Sequence, residues 1–290
     1  MPAADGSVRG VHEVITTGGQ VLAVEEWGDP SGRPVVYLHG TPLSRLARHP
    51  DDAMFQRHGV RLITYDRPGY GGSSALPGRR VADAAADVAA IADFLGLRRF
   101  WAFGVSGGAP HALACAALLP DRVIRVAGLA CPAPFDAVGL DWHAGLIEMN
   151  YADAVAAVKG RDVLEAHVRA NLAADLPAIL PEIEQPVLAR PGIRAMLSTA
   201  YAEGMRPGLD GALDDTMALY ALPWGFDPAA ITVPAYLWHG ELDTLVPATH
   251  SRWLAERIPG VTLVTAPDAG HAGHFDATPA MLDWLLSGQD

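Results

Sequence analysis

Phe100-Trp101-Ala102-Phe103-Gly104-Val105-Ser106-Gly107-Gly108-Ala109-Pro110-His111 is the stretch on which the reading of the whole chain turns. Its first four residues are apolar and mostly aromatic, which reads as a buried strand. Ala109 to Ala114 reads as a helix, and Pro110 is tolerated in its first turn because no N–H has to be donated there. A serine between such a strand and such a helix occupies a tight bend that closes only around small neighbours, which Gly104 and Gly108 supply. Its hydroxyl then stands clear of the backbone at the positive end of a helix. The N–H of Gly107 faces any negative oxygen that forms beside it. The pentapeptide alone is short, and an ordinary glycine-rich turn is the competing reading. What decides is the context before and after it.

The chain has 290 residues, half of them apolar, enough for one large α/β domain with an insertion or for two small domains. A net charge of -12 and the lack of any Lys/Arg cluster argue against a nucleic-acid surface. The start, Met1-Pro2-Ala3-Ala4-Asp5-Gly6, carries neither a basic region nor an apolar stretch, so no secretory signal is expected. No apolar run approaches bilayer-spanning length. Cys115 and Cys131 offer no disulfide framework and no zinc-ligand spacing. The expectation is a cytoplasmic protein with packed thiols, without metal, organic cofactor, nucleic-acid partner or membrane contact.

Working outward, strands are expected at Val21–Trp27, Pro34–Leu38, Arg61–Tyr65, Phe100–Phe103 and Arg122–Ala130. Val81, Ala85, Val88, Ile91, Ala92 and Leu95 recur at helical spacing, with Gly96 as a stop. The span Ser44 to Gln56 is long enough for a helix. Strands alternating with helices imply an α/β fold, a mostly parallel central sheet covered by helices on both faces. From Phe135 to Phe226 the pattern changes: Tyr151–Val158, Asp162–Leu172 and Arg194–Tyr201 read as helices, and Pro177, Pro181, Pro186, Pro191 and Pro207 interrupt. Sheet character returns at Pro234–Trp238, then a helix from Pro247 to Arg257, a strand at Val261–Val264 and a last helix near Pro279 to Leu286. The expected division is a core of 1–134 and 227–290 with a helical cap, or lid, of 135–226.

A serine hydroxyl attacks well only when a base removes its proton and a third group orients that base. Strand ends, where open α/β sheets place their ligands, offer both. Asp243 stands in the turn of His239-Gly240-Glu241-Leu242-Asp243, and His271 and His274 follow the last strand. The order Ser, Asp, His matches this type of bend.

With the His39-Gly40-Thr41-Pro42 loop, the Asp66-Arg67-Pro68-Gly69-Tyr70-Gly71-Gly72-Ser73 turn, the serine bend, Gly240-x-x-Asp243 and Gly270-His271 in this order, nearly the whole chain resembles the α/β-hydrolase fold superfamily with an inserted helical cap. The resemblance implies Ser106 as nucleophile, Asp243 as the acid and His271 as general base, with Thr41 and Gly107 N–H groups as the oxyanion hole. His274 is the rival base, Asp136 the reserve acid, and His271-x-x-His274 with Asp276 a metal alternative lacking an obvious further ligand. Asp66 and Arg67 are expected to hold a turn, His39 to brace the oxyanion loop and His111 to pack in its helix. Asp268 and Asp276 are expected to be solvated.

The expected activity is hydrolysis of a small-molecule carboxylic ester by a serine hydrolase. Proline iminopeptidases, carbon–carbon bond hydrolases and thioesterases share the machinery and stay open, as does a hydrolase-fold small-molecule receptor. Epoxide hydrolases and haloalkane dehalogenases place an aspartate where this chain has Ser106. Glycine after the serine, at 107, departs from many relatives, which carry a larger residue there. Trp142, Tyr151, Met217 and Trp224 are the candidate substrate-binding residues, with lid core as the competing role. Ser44 and Arg45 follow the oxyanion loop, and Arg45 is a candidate partner for a substrate carboxylate.

Overall fold

The computed structural model describes residues 10–171 and 180–288. The reading of Met1–Gly6, the end of a helix at Leu172 and the break at Pro177 lie outside the described residues. The strands are β1 (Gly10–Ile15), β2 (Val21–Gly28), β3 (Arg33–Leu38), β4 (Val60–Tyr65), β5 (Phe100–Val105), β6 (Val123–Leu129), β7 (Ala235–Gly240) and β8 (Thr262–Ala266). They form one sheet in the order β1-β2-β4-β3-β5-β6-β7-β8. β1 and β2 run antiparallel to their neighbours, and all pairings from β4 onward are parallel.

Side chains alternate across a strand, so a central parallel strand serves two cores at once. Along β5, Phe100 and Ala102 face one cluster with Val88, Ile91 and Leu113. Trp101, Phe103 and Val105 face the other, with Met54, Met281 and Leu285. The helices α1 (Asp52–Arg57), α2 (Ala84–Phe94) and α3 (Ala109–Leu118) are thereby divided between the faces, α2 and α3 on the first and α1 on the second.

Between β6 and β7 the described residues hold helices and no strand: α4 (Glu148–Lys159), α5 (Arg161–Asn171), α6 (Gln185–Leu188), α7 (Pro191–Gly204) and α8 (Asp210–Tyr220). α9 (Thr249–Ala255) and α10 (His274–Leu285) complete the chain. No helix among the described residues is long and apolar enough to cross a membrane.

Two expectations need correction. Only the end of Ser44–Gln56 is helical, because Asp51 caps a helix there, its side chain accepting from Met54 N–H. The last helix starts at His274, not near Pro279, which lies inside it. The packing of buried Phe275 and Met281 outweighs the one backbone hydrogen bond that Pro279 cannot make. β1 and α8 were not legible, and their apolar residues follow neither period cleanly.

Candidate active site

Parallel strands deliver their C-terminal ends to one edge of the sheet, which fixes where the candidate residues meet. Leu38 pairs with Gly104, Val105 with Leu129, Leu129 with Trp238 and Gly240 with Ala266. The segments leaving β3, β5, β7 and β8 carry Thr41, Ser106, Asp243 and His271 to that edge.

Ser106 has φ +53°, a left-handed conformation for a residue with a side chain. Such a backbone costs roughly 1–3 kcal/mol and persists only where its surroundings enforce it. Here they do. A methyl group on Gly104 would strike the Gly108 carbonyl, and one on Gly108 would strike the carbonyls of Leu38 and His39. The bend therefore closes only with glycine on both sides of Ser106. Gly107 is held by a similar constraint, since a side chain there would meet Thr41 Oγ1 and Leu219. Glycine at 107 thus makes room for the loop after β3 and for a residue of α8.

His271 Nδ1 donates to Asp243 Oδ2 at 2.7 Å, and the other oxygen of Asp243 accepts from Leu245 and Val246 N–H at 2.8 and 2.9 Å. Asp243 is buried, which alone would raise its pKa. The charge of His271 and hydrogen bonds from His239 and His271 overcome that and hold it below the usual carboxylate range. Burial likewise disfavours the charged form of His271. The neighbouring Asp243 charge, its hydrogen bond and Glu184 outweigh it, and the imidazole pKa is raised. The pair is an imidazole held through its Nδ1 by a buried carboxylate. Among the described residues no hydrogen bond links His271 to Ser106, a bond that commonly tightens only with substrate in place.

His274 is not paired with Asp243. Its ring lies tilted against Phe275, with the ring centres 4.0 Å apart, and burial pulls its pKa down to about 3. Asp136 is exposed. Asp276 lies on α10 and receives Arg190 at 2.8 Å, and the described residues hold no group of three or more His, Cys, Asp or Glu that could bind a metal ion. Asp268 is exposed.

The turn after β4 does more than expected. Asp66 accepts from Gly72 N–H and Arg45 N–H, closing the turn. Arg67 leaves it altogether: fully buried, it pairs with Asp215 of α8 and donates to the His39 carbonyl. Asp215 also receives Arg79, Tyr70 Oη at 2.9 Å and Thr41 Oγ1 at 2.7 Å. Burial would raise its pKa, yet Arg67 and Arg79 hold it well below the usual range. Asp215 was missed because its partners lie far away in sequence and its own helix has no clean apolar period. His39 donates to Gly40 O at 3.0 Å and accepts from Arg67 N–H at 3.3 Å, bracing the loop. His111 donates to Gly107 O at 2.7 Å.

Arg45 is not available to a substrate carboxylate, because Glu25, Asp66 and Glu203 engage it at 2.9, 2.6 and 2.7 Å. Ser44 is buried. Trp142 and Trp224 are buried too: Trp142 donates to Ala133 O at 3.0 Å, and Trp224 stacks on Phe226 in the core. Met217 packs among α4, α5 and α8. Tyr151 is 43% exposed and lines a groove of about 290 Å³ with Val155, Lys159 and His167.

This fold and this site define a hydrolase-type scaffold. A family model described as alpha/beta hydrolase fold matches residues 33–278, and the chain belongs to that family. It is 29% identical over 278 residues to the non-heme chloroperoxidase of Streptomyces lividans, covering 93% of this chain and 96% of that protein. It is 28% identical over 272 residues to the pimeloyl-(acyl-carrier protein) methyl ester esterase of Chromobacterium violaceum, covering 90% of each. The enol-lactonase from Burkholderia xenovorans superposes with a TM-score of 0.70 at 23% identity, over 96% of this chain and 100% of that one. The family and the esterase among these relatives support hydrolysis as the class of chemistry.

Proposed function

We propose that the chain is a serine hydrolase that cleaves a small-molecule carboxylic ester through an acyl-serine intermediate. The observation that carries this reading is the left-handed bend at Ser106 on the sheet edge that also receives the His271–Asp243 pair. His271 Nε2 takes the Ser106 proton as Oγ attacks the ester carbonyl. The tetrahedral oxyanion accepts from the N–H groups of Thr41 and Gly107. His271 returns the proton to the leaving alcohol, and the acyl group stays on Ser106. Water then gives a proton to His271 and attacks the acyl carbon; as that intermediate collapses, His271 hands the proton to the departing Ser106 oxygen and the carboxylic acid is released. Asp243 stays ionised throughout, keeping the ring in one tautomer and stabilising its charged form. Losing one oxyanion donor typically costs about 3–4 kcal/mol of barrier.

In this reading residues 135–226 form a lid over a core of 1–134 and 227–290, and the lid selects the substrate. The esterase and lactonase names among the similar proteins support an ester substrate.

Labelling with a fluorophosphonate probe, compared between wild type and Ser106→Ala, tests the proposal. Labelling of wild type alone supports it. An unlabelled wild type that turns over no p-nitrophenyl ester favours a receptor instead.

A further inference from the structure

Glu184 lies in a short turn of the helical insertion, Glu182–Glu184, immediately before α6. It is 1% exposed, and carboxylates are rarely buried unless they are fully partnered. Its partners are not side chains. Oε1 accepts from the His271 N–H and Oε2 from the Ala272 N–H, both at 2.7 Å. These N–H groups open the turn His271–Gly273, which runs into α10, and early N–H groups of such a run have no partner within it. A carboxylate there meets both the free donors and the positive end of the helix. Gly270 completes the fit, since a side chain at that position would strike Glu184 Oε1 and Ile183. Three features from two distant parts of the chain thus converge on one contact.

From this we infer that Glu184 is a positioning residue: through the two N–H groups it anchors the backbone of His271 to the insertion and so sets where the imidazole stands. The inference rests on the acyl-serine reading for its catalytic consequence, while the anchoring itself does not depend on it. Asp243 fixes the ring from the side chain and Glu184 fixes the residue from the backbone. The insertion therefore does more than cover the site. It carries one end of the apparatus that aims the base. The charged or titratable groups facing His271 are Asp243 at 2.7 Å, Glu184 across its own backbone, and His274, whose ring centre lies 6.2 Å away. His239 reaches the same Asp243 oxygen at 3.2 Å. Both carboxylates favour a protonated His271, so removing the Glu184 charge lowers the imidazole pKa.

The test compares wild type, Glu184→Gln, Glu184→Asp and Glu182→Gln, the last an exposed neighbour. In Glu184→Gln, kcat on a p-nitrophenyl ester should fall about 10- to 100-fold with KM little changed, as expected for a misplaced base. The acid limb of the pH profile should move to lower pH, Glu184→Asp should recover part of the loss, and Glu182→Gln should match wild type. The His271 ring is also titrated by NMR in each protein, a readout independent of turnover. A folded Glu184→Gln with wild-type kcat and an unmoved His271 titration overturns the inference. If Glu184→Gln does not fold, amide exchange in wild type decides: protected His271 and Ala272 N–H groups support the anchor, and rapid exchange at both refutes it. If wild type turns over no ester, the acyl-serine reading fails, and the NMR titration still judges Glu184.

Discussion

Thr41 Oγ1 donates to Asp215 Oδ2 at 2.7 Å, across 174 residues of sequence. The loop after β3 is thereby fastened to α8, and Asp215 at the same time pairs with the buried guanidiniums of Arg67 and Arg79. A buried ion pair adds little over a well-packed apolar replacement, but removing one partner strands the other.

Asp215→Ala leaves two buried arginines without their carboxylate. It is expected to destabilise the protein by roughly 3–5 kcal/mol in urea denaturation. Loss of activity in the remaining folded fraction should follow, because Thr41 loses its tether. A midpoint unchanged from wild type would contradict this account of the cluster.

The pH dependence follows from His271. In the proposed mechanism only the neutral ring can take the Ser106 proton, and its pKa is raised by Asp243 and Glu184 against the effect of burial. Turnover should therefore be lost as pH falls through a value above the ordinary imidazole range of about 6.5. The pH profile of kcat/KM measures this limb directly, and a limb below that range speaks against the assignment.

Asp87 offers an opposite sign. Burial raises its pKa to about 7, with Arg79 opposing and Asp83 adding to the rise. A raised carboxyl means the folded state holds a proton that the unfolded chain has released, so stability falls as pH climbs from about 4 to 7. Asp87→Asn removes that dependence. It should unfold at a higher temperature than wild type at pH 8 and gain little at pH 4. A thermal melt at each pH checks it, and equal gains at both would be evidence against the burial argument.

Gly104→Ala is expected to cost about 1–3 kcal/mol, as overpacking does, since the new methyl meets the Gly108 backbone rather than a movable side chain. Its effect on kcat should exceed its effect on KM, because what shifts is the bend that presents Ser106. Denaturation and steady-state kinetics on the same preparation test both halves.

Much of this was legible in the sequence because the information was local. Gly104 and Gly108 around Ser106 announce a bend that no bulkier pair permits, and Val81 to Leu95 repeats with helical period. Asp243 and His271 stand just beyond apolar strand runs, so their place on the sheet edge follows from parallel pairing. Asp215 and Glu184 were not legible: each acts on groups from distant parts of the chain. One meets two arginines, and the other meets backbone N–H groups, which carry no sequence signature. Trp142 and Trp224 are legible only as bulk: their size suggests pocket wall or lid core alike, and both are buried and packed against other rings.

The most direct measurement of the central claim is mass spectrometry of the protein quenched during turnover of p-nitrophenyl acetate. The account predicts one added acetyl group, carried by the peptide that contains Ser106 and absent from Ser106→Ala. Steady hydrolysis with the acetyl group on another residue, or with Ser106→Ala as active as wild type, would contradict it.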